Sequence, residues 1–139
     1  MNYIGMDIHK QFTVAVVKDE KGAKIAEEKF DNGREQFSVF LEPYPQKDTE
    51  IVIESTSVWE YIYDLLDSLH YKVKLANPFR TRAIASARIK TDSIDANTLA
   101  DLLRANLIAE SYIPPKDIRI LRDIVRERKT FVKSITQIK

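Results

Sequence analysis

Over the first part of the chain, apolar and polar positions fall into short blocks with a period near two. Residues 3–7, 12–18 and 24–30 are β-prone runs, and Asp19-Glu20-Lys21-Gly22 supplies a turn between the second and third. This pattern predicts an antiparallel meander. After Asn32-Gly33 the period changes, and Phe37, Phe40 and Leu41 recur at helical spacing until Pro43 and Pro45 stop the helix. Residues 50–54 (EIVIE) are rich in β-branched side chains and read as a strand with an acid at each end. A helix follows over 58–69, with Trp59, Ile62, Leu65, Leu66 and Leu69 on one stripe, and residues 71–75 alternate as a further strand.

The order β-β-β-α-β-α-β is what an RNase H-like fold requires: a mixed five-stranded α/β sheet flanked by helices, three strands antiparallel and two added through helical crossovers. Several other α/β folds share parts of this order. Beyond Pro78 the pattern is helical, first over 80–89 and then over 93–107, where Ala96, Leu99, Ala100, Leu103 and Leu107 share one face. Pro114-Pro115 close that unit. From there Ile118, Leu121, Val125, Val132 and Ile135 form a heptad seam, with Arg128 at one of its positions and with Ile124, Phe131 and Ile138 widening it. Two segments are expected: a catalytic domain over 1–113, and over 114–139 the start of a long coiled-coil-like helix that pairs with a second copy or with another helix. The pattern is intact at Lys139, so the natural protein is expected to continue.

Composition narrows the class. With 139 residues, 44% hydrophobic and 31% charged, the chain suits one compact domain. No apolar run approaches the length of about 18 residues needed to span a bilayer, and the first residues lack a signal-peptide pattern. The chain is therefore read as soluble, cytoplasmic and without a membrane partner. Cysteine is absent, so a metal site must use carboxylates or the two histidines, His9 and His70, which points to hard divalent ions.

The net charge of +1 conceals a division. Residues 114–139 hold eight Lys and Arg against three acids, whereas residues 1–113 hold fourteen against eighteen. Within the acidic body, Arg80, Arg82, Arg88 and Lys90 form a basic strip uninterrupted by acids. These four, together with the basic tail over 114–139, are the candidate nucleic-acid contacts, the bland alternative for the four being one solvated helix face.

Four carboxylates stand at element ends. Asp7 ends the first strand, Glu54 ends the fourth, and Asp92 and Asp95 open a helix three residues apart on one face. A cluster of this kind repels itself unless divalent cations neutralise it, and such cations could support phosphodiester cleavage or exchange. Taken singly, each acid has a plainer reading: D-S-I-D is a capping box, Asp7 begins a turn, and Glu54 lies on the surface. Their order is what argues for convergence. His9 could face the site as a ligand or acid, with mere proximity the favoured reading; His70 is expected to cap the preceding helix, and Trp59 to belong to the core in preference to stacking on bases with Tyr61 and Tyr63.

The stretches Y-I-G-M-D-I-H-K, E-S-T-S-V-W-E-Y and K-T-D-S-I-D-A-N-T-L-A-D-L-L resemble signatures of the DEDD transposases of insertion sequences, the group that includes the pilin gene invertase. The resemblance covers essentially the whole chain as that family's N-terminal RuvC-like domain. It implies that Asp7, Glu54, Asp92 and Asp95 are a catalytic, metal-binding tetrad using Mg²⁺ or Mn²⁺, that DNA is the substrate of a transposase or site-specific recombinase, and that a structured guide RNA is a partner. It also implies a second, C-terminal domain carrying a serine for strand exchange, which nothing in this chain matches, so this fragment is not expected to recombine DNA alone. Ser57 departs from the glycine usual in the family after Glu-x-Thr. Two other classes compete: an actin or sugar-kinase-like nucleotide-binding domain, disfavoured because Gly5, Gly22 and Gly33 are too few for its phosphate loops, and a non-catalytic dimerisation module.

Overall fold

The computed structural model describes residues 1–84 and 92–138. The expected helix over 80–89 is therefore seen only in part, and Arg88 and Lys90 of the basic strip lie outside the described residues.

The three β-prone runs form β1 (Asn2–Ile8), β2 (Phe12–Lys18) and β3 (Lys24–Asp31), joined antiparallel. At the second turn the Asp19 carboxylate accepts from the amides of Lys21 and Ala23, and Gly22 takes a positive φ of 84° that favours glycine. The period change after Gly33 gives α1 (Arg34–Leu41), which buries Phe37, Phe40 and Leu41. β4 (Thr49–Glu54) then enters beside β1 in parallel, α2 (Trp59–Ser68) crosses over, and β5 (Lys72–Ala76) adds in parallel to β4. The sheet order is β3-β2-β1-β4-β5, which puts the strand bearing Asp7 at the centre.

One face of the sheet carries the larger core. Ile4, Met6, Ile8, Ala15, Val17, Ile51, Ile53 and Leu75 pack there against Phe37, Phe40 and Leu41 of α1 and Ile62, Leu65 and Leu66 of α2. Trp59 packs at the margin of this core, as its apolar stripe implies. The Tyr71 hydroxyl donates to the carbonyls of Leu41 and Tyr44 and so fixes the loop that follows α1. α2 ends in a Schellman turn: His70 adopts φ 65°, its amide donates to Asp67 O, and the Tyr71 amide donates to Leu66 O. The expected capping role of His70 is thus met through its backbone.

The other face is covered by α4 (Asp92–Arg104), which follows α3 (Pro78–Ile84). Val14 and Val16 meet Ala96, while Val52 and Ala76 meet Leu99 and Leu103. The approach is close because Gly5 has no side chain: a Cβ there would lie 2.1 Å from Ala96 O and 2.5 Å from Ala100 N. Helix α4 stops earlier than the apolar spacing suggests. Asn106 takes φ 56° in a second Schellman turn, which leaves Leu107 beyond the helix and 54% exposed.

The last element, α5 (Lys116–Ile138), is one helix as expected. Arg119 is its buried residue. The guanidinium lies 2.8 Å from Asp64 Oδ1, donates through Nε to Pro114 O, and sits over the rings of Trp59 and Tyr63. Beyond it the apolar seam is exposed along its length, including Leu121, Ile124, Val125, Phe131, Val132 and Ile135.

Candidate metal and nucleic-acid site

The parallel register fixes the first part of the site. Gly5 is paired with Val52 and Met6 with Ile53, so Asp7 and Glu54 follow one another's course at the C-terminal ends of adjacent strands. Gly5 and Val52 face α4, and alternation along a strand directs Asp7 and Glu54, two positions on, to that same face. α4 brings its N-terminus to the same place. Asp7 and Asp92 therefore meet at the end of the sheet's central strands, below the first turn of a helix and beside the strand end that carries Glu54, and not along a lateral edge.

His9 completes the geometry. Its Nε2 lies 2.9 Å from Asp7 Oδ2 and 3.2 Å from Asp92 Oδ1, and one donor atom from each of the three residues falls within 4.8 Å of the others. The ring is held by stacking on Phe12 at 4.4 Å between centroids. Its backbone is held too: Asn32 donates through Nδ2 to His9 O and accepts from Thr13 Oγ1. This placement between two of the acids favours the ligand reading of His9 over mere proximity. The only signal for it in the sequence is its position two residues after Asp7.

Asp7 is buried, with 8% of its surface exposed. Burial pushes its carboxyl above the usual range, the charge and hydrogen bond of His9 pull it back, and the nearby carboxylates of Asp92 and Asp95 push it further up. Asp95 is thus close enough to act on Asp7 electrostatically, although the three-residue grouping does not include it. Glu54 is half-buried and is likewise outside that grouping. The donor chemistry of two carboxylate oxygens and an imidazole nitrogen suits a hard or borderline divalent cation.

The basic strip begins beside this site. α3 starts directly after the C-terminal end of β5, where Asn77 Oδ1 accepts from the Arg80 amide and Thr81, buried, donates to Asn77 O. Arg80 and Arg82 project into solvent from this anchored turn. On the α4 face, the buried Lys18 ammonium pairs with Asp101 at 2.6 Å, a bond between residues 83 apart that no local pattern reveals.

The family model described as Transposase, that of the DEDD transposases of IS110 type, matches residues 4–139. The chain belongs to this family. It is 32% identical over 74 residues to y4qE of Sinorhizobium fredii, a protein named as a transposase; the match covers 53% of this chain and 19% of that protein, so the chain aligns with a small part of its relative. Among solved structures, RuvC of Thermus thermophilus superposes with a TM-score of 0.54 and 12% identity, over 80% of this chain and all of that one. The RNase H-like fold expected from the element order is thereby established. Among the described residues, no helix is long and apolar enough to cross a membrane.

Proposed function

We propose that the chain is the catalytic domain of a DNA transposase or site-specific recombinase, in which Asp7, Glu54, Asp92 and Asp95 hold divalent Mg²⁺ or Mn²⁺. The observation that carries this is the convergence of Asp7, His9 and Asp92 at the C-terminal end of the central strand, beside the end of β4. A bound cation would supply Lewis-acid activation at a phosphodiester. The protein's own residues supply placement. Burial of Asp7 by β1 and α4 keeps water from competing for its oxygens, while His9 holds Asp7 and Asp92 facing one another. Arg80 and Arg82 then contact the backbone of a strand lying across the end of the sheet.

The wider reading rests on the family. Residues 1–113 form the catalytic body and 114–139 begin a coiled coil, with the serine domain supplied elsewhere in the full-length protein. The resemblance adds a guide RNA that selects the DNA. The exposed seam of α5 supports pairing with a second copy, which would set two acidic sites at a fixed separation, because soluble monomers rarely expose such a stripe.

Calorimetric titration with Mn²⁺ tests the site. The wild-type chain is expected to bind, with Asp7→Asn and Asp92→Asn each weakening binding at least about tenfold, the loss expected when an anionic ligand is replaced by a neutral one. Undiminished binding by Asp7→Asn would remove the basis of the proposal.

A further inference from the structure

A cleft of about 520 Å³ opens between the loop after β4, the β1–β2 hairpin and α5. Lys10, Thr56, Ser57, Trp59 and Arg126 contribute to its lining. Lys10 directly follows His9, so the cleft adjoins the carboxylate cluster.

The unsatisfied groups in the cleft are donors. Among the described residues, Lys10, which is exposed, makes no ion pair, and Thr56 Oγ1 is buried without a hydrogen-bond partner. A buried hydroxyl left unpaired is costly, and this one lies just beneath a wall that Thr56 itself lines, so a turn of its side chain would bring it to a ligand oxygen. Two acids also belong to the lining, each beside a guanidinium: Glu60 lies 3.9 Å from Arg119, and Asp123 lies 3.8 Å from Arg126 on the same helix. Arg126 is 73% exposed in its side chain, and its contact with Asp123 is a surface pair of little strength. A cleft with one free ammonium, one loosely held guanidinium and an orphan hydroxyl suits an anion that accepts several hydrogen bonds, which is the chemistry of a phosphate. The indole of Trp59 offers a flat wall to the attached sugar or base.

We propose that this cleft is a phosphate subsite for the nucleic-acid strand, gripping a nucleotide next to the one presented to the carboxylates. Lys10 and Arg126 supply charge and Thr56 the oriented donor. The proposal rests on the nucleic-acid reading above and gives α5 a part in holding the strand. It also gives meaning to Ser57, which brings a further hydroxyl to the loop.

Binding of a fluorescent single-stranded oligonucleotide of about 12 nucleotides, within the site size of comparable clefts, is measured by anisotropy at stepped salt. The double variant Lys10→Ala/Arg126→Ala is expected to bind about 10- to 100-fold more weakly, because it lacks the charge-assisted hydrogen bonds, and its log–log salt slope should become shallower by about 0.7 for each phosphate that is no longer neutralised. Thr56→Val should weaken binding severalfold without lowering the melting temperature, and Thr56→Ser should restore it. Trp59 is the sole tryptophan, so its fluorescence reports on the cleft and should change when the oligonucleotide binds.

If these variants bind with wild-type affinity and slope while Arg80→Ala/Arg82→Ala weakens binding, the subsite is overturned and the nucleic-acid reading stands. A wild-type chain that binds no oligonucleotide overturns both. Saturable quenching of Trp59 by inorganic phosphate, with oligonucleotide affinity indifferent to Lys10, Thr56 and Arg126, would make the cleft a small-anion site and overturn the proposal.

Discussion

The two faces of the sheet are built on opposite principles. On the α1–α2 face, large side chains such as Phe37, Ile53, Ile62 and Leu66 are fully buried and interlock. On the α4 face, glycine, alanine and valine let the helix backbone come down almost onto the strands, and polar groups are buried with them: Asp7 at the end of β1, and Lys18 against Asp101. The first face stabilises the fold by area and packing. The second trades area for proximity, bringing the start of α4, with Asp92 and Asp95, to the carboxylate on the central strand. The main core and the candidate site are thus separated across a single sheet.

The largest effect is expected from the packed face. Phe37→Ala should cost about 3–5 kcal/mol in urea unfolding, the usual cost of emptying a fully buried aromatic site. A loss under about 1 kcal/mol would show that this face is not the main core. On the opposite face, Gly5→Ala adds one methyl group, yet it meets helix backbone that cannot rotate aside, and about 1–3 kcal/mol should be lost. Because α4 must shift, Mn²⁺ binding should weaken along with stability. Normal metal binding in this variant would mean that the close approach does not position Asp92.

The smallest effect should have the opposite sign. Asp7 is held above its ordinary pKa, chiefly by burial, so the unfolded chain gives up this proton at lower pH than the folded one. Its contribution therefore makes the metal-free fold less stable as pH rises from about 4 through the elevated value of the folded state. Asp7→Asn removes that dependence. The variant should melt slightly higher than wild type at neutral pH, and no higher at the acid end of the range. A lower melting temperature at neutral pH would show that the His9 contact outweighs the cost of burial and that Asp7 serves the fold.

How far the sequence can be read follows the same division. The packed face is legible because period-two and helical spacing of large apolar residues report directly on what must leave water. Asp7, Glu54, Asp92 and Asp95 are legible as acids at element ends, although only the register of β1 on β4 and the approach of α4 determine which of them meet. His9 is legible only as a possible ligand: its place in the cluster depends on Asn32 fastening the hairpin from 23 residues away and on its stacking with Phe12. Arg119 is hidden for a related reason. In a basic segment it looks like one more solvated cation, and only the return of α5 to Trp59, Tyr63 and Asp64 gives it a buried role.

That arginine also fixes a pivot. It ties α5 to α2 within the first turn, and the helix then runs on to Ile138 with its side chains exposed. At 1.5 Å per residue, the span beyond the tie is a lever of about 28 Å. A tilt of about 10° at the fulcrum displaces its tip by about 5 Å, close to one helical turn. The carboxylate face of Asp64 and the two aromatic rings therefore act as the bearing of a long arm, and a small adjustment in that bearing is returned at the far end as a change in reach.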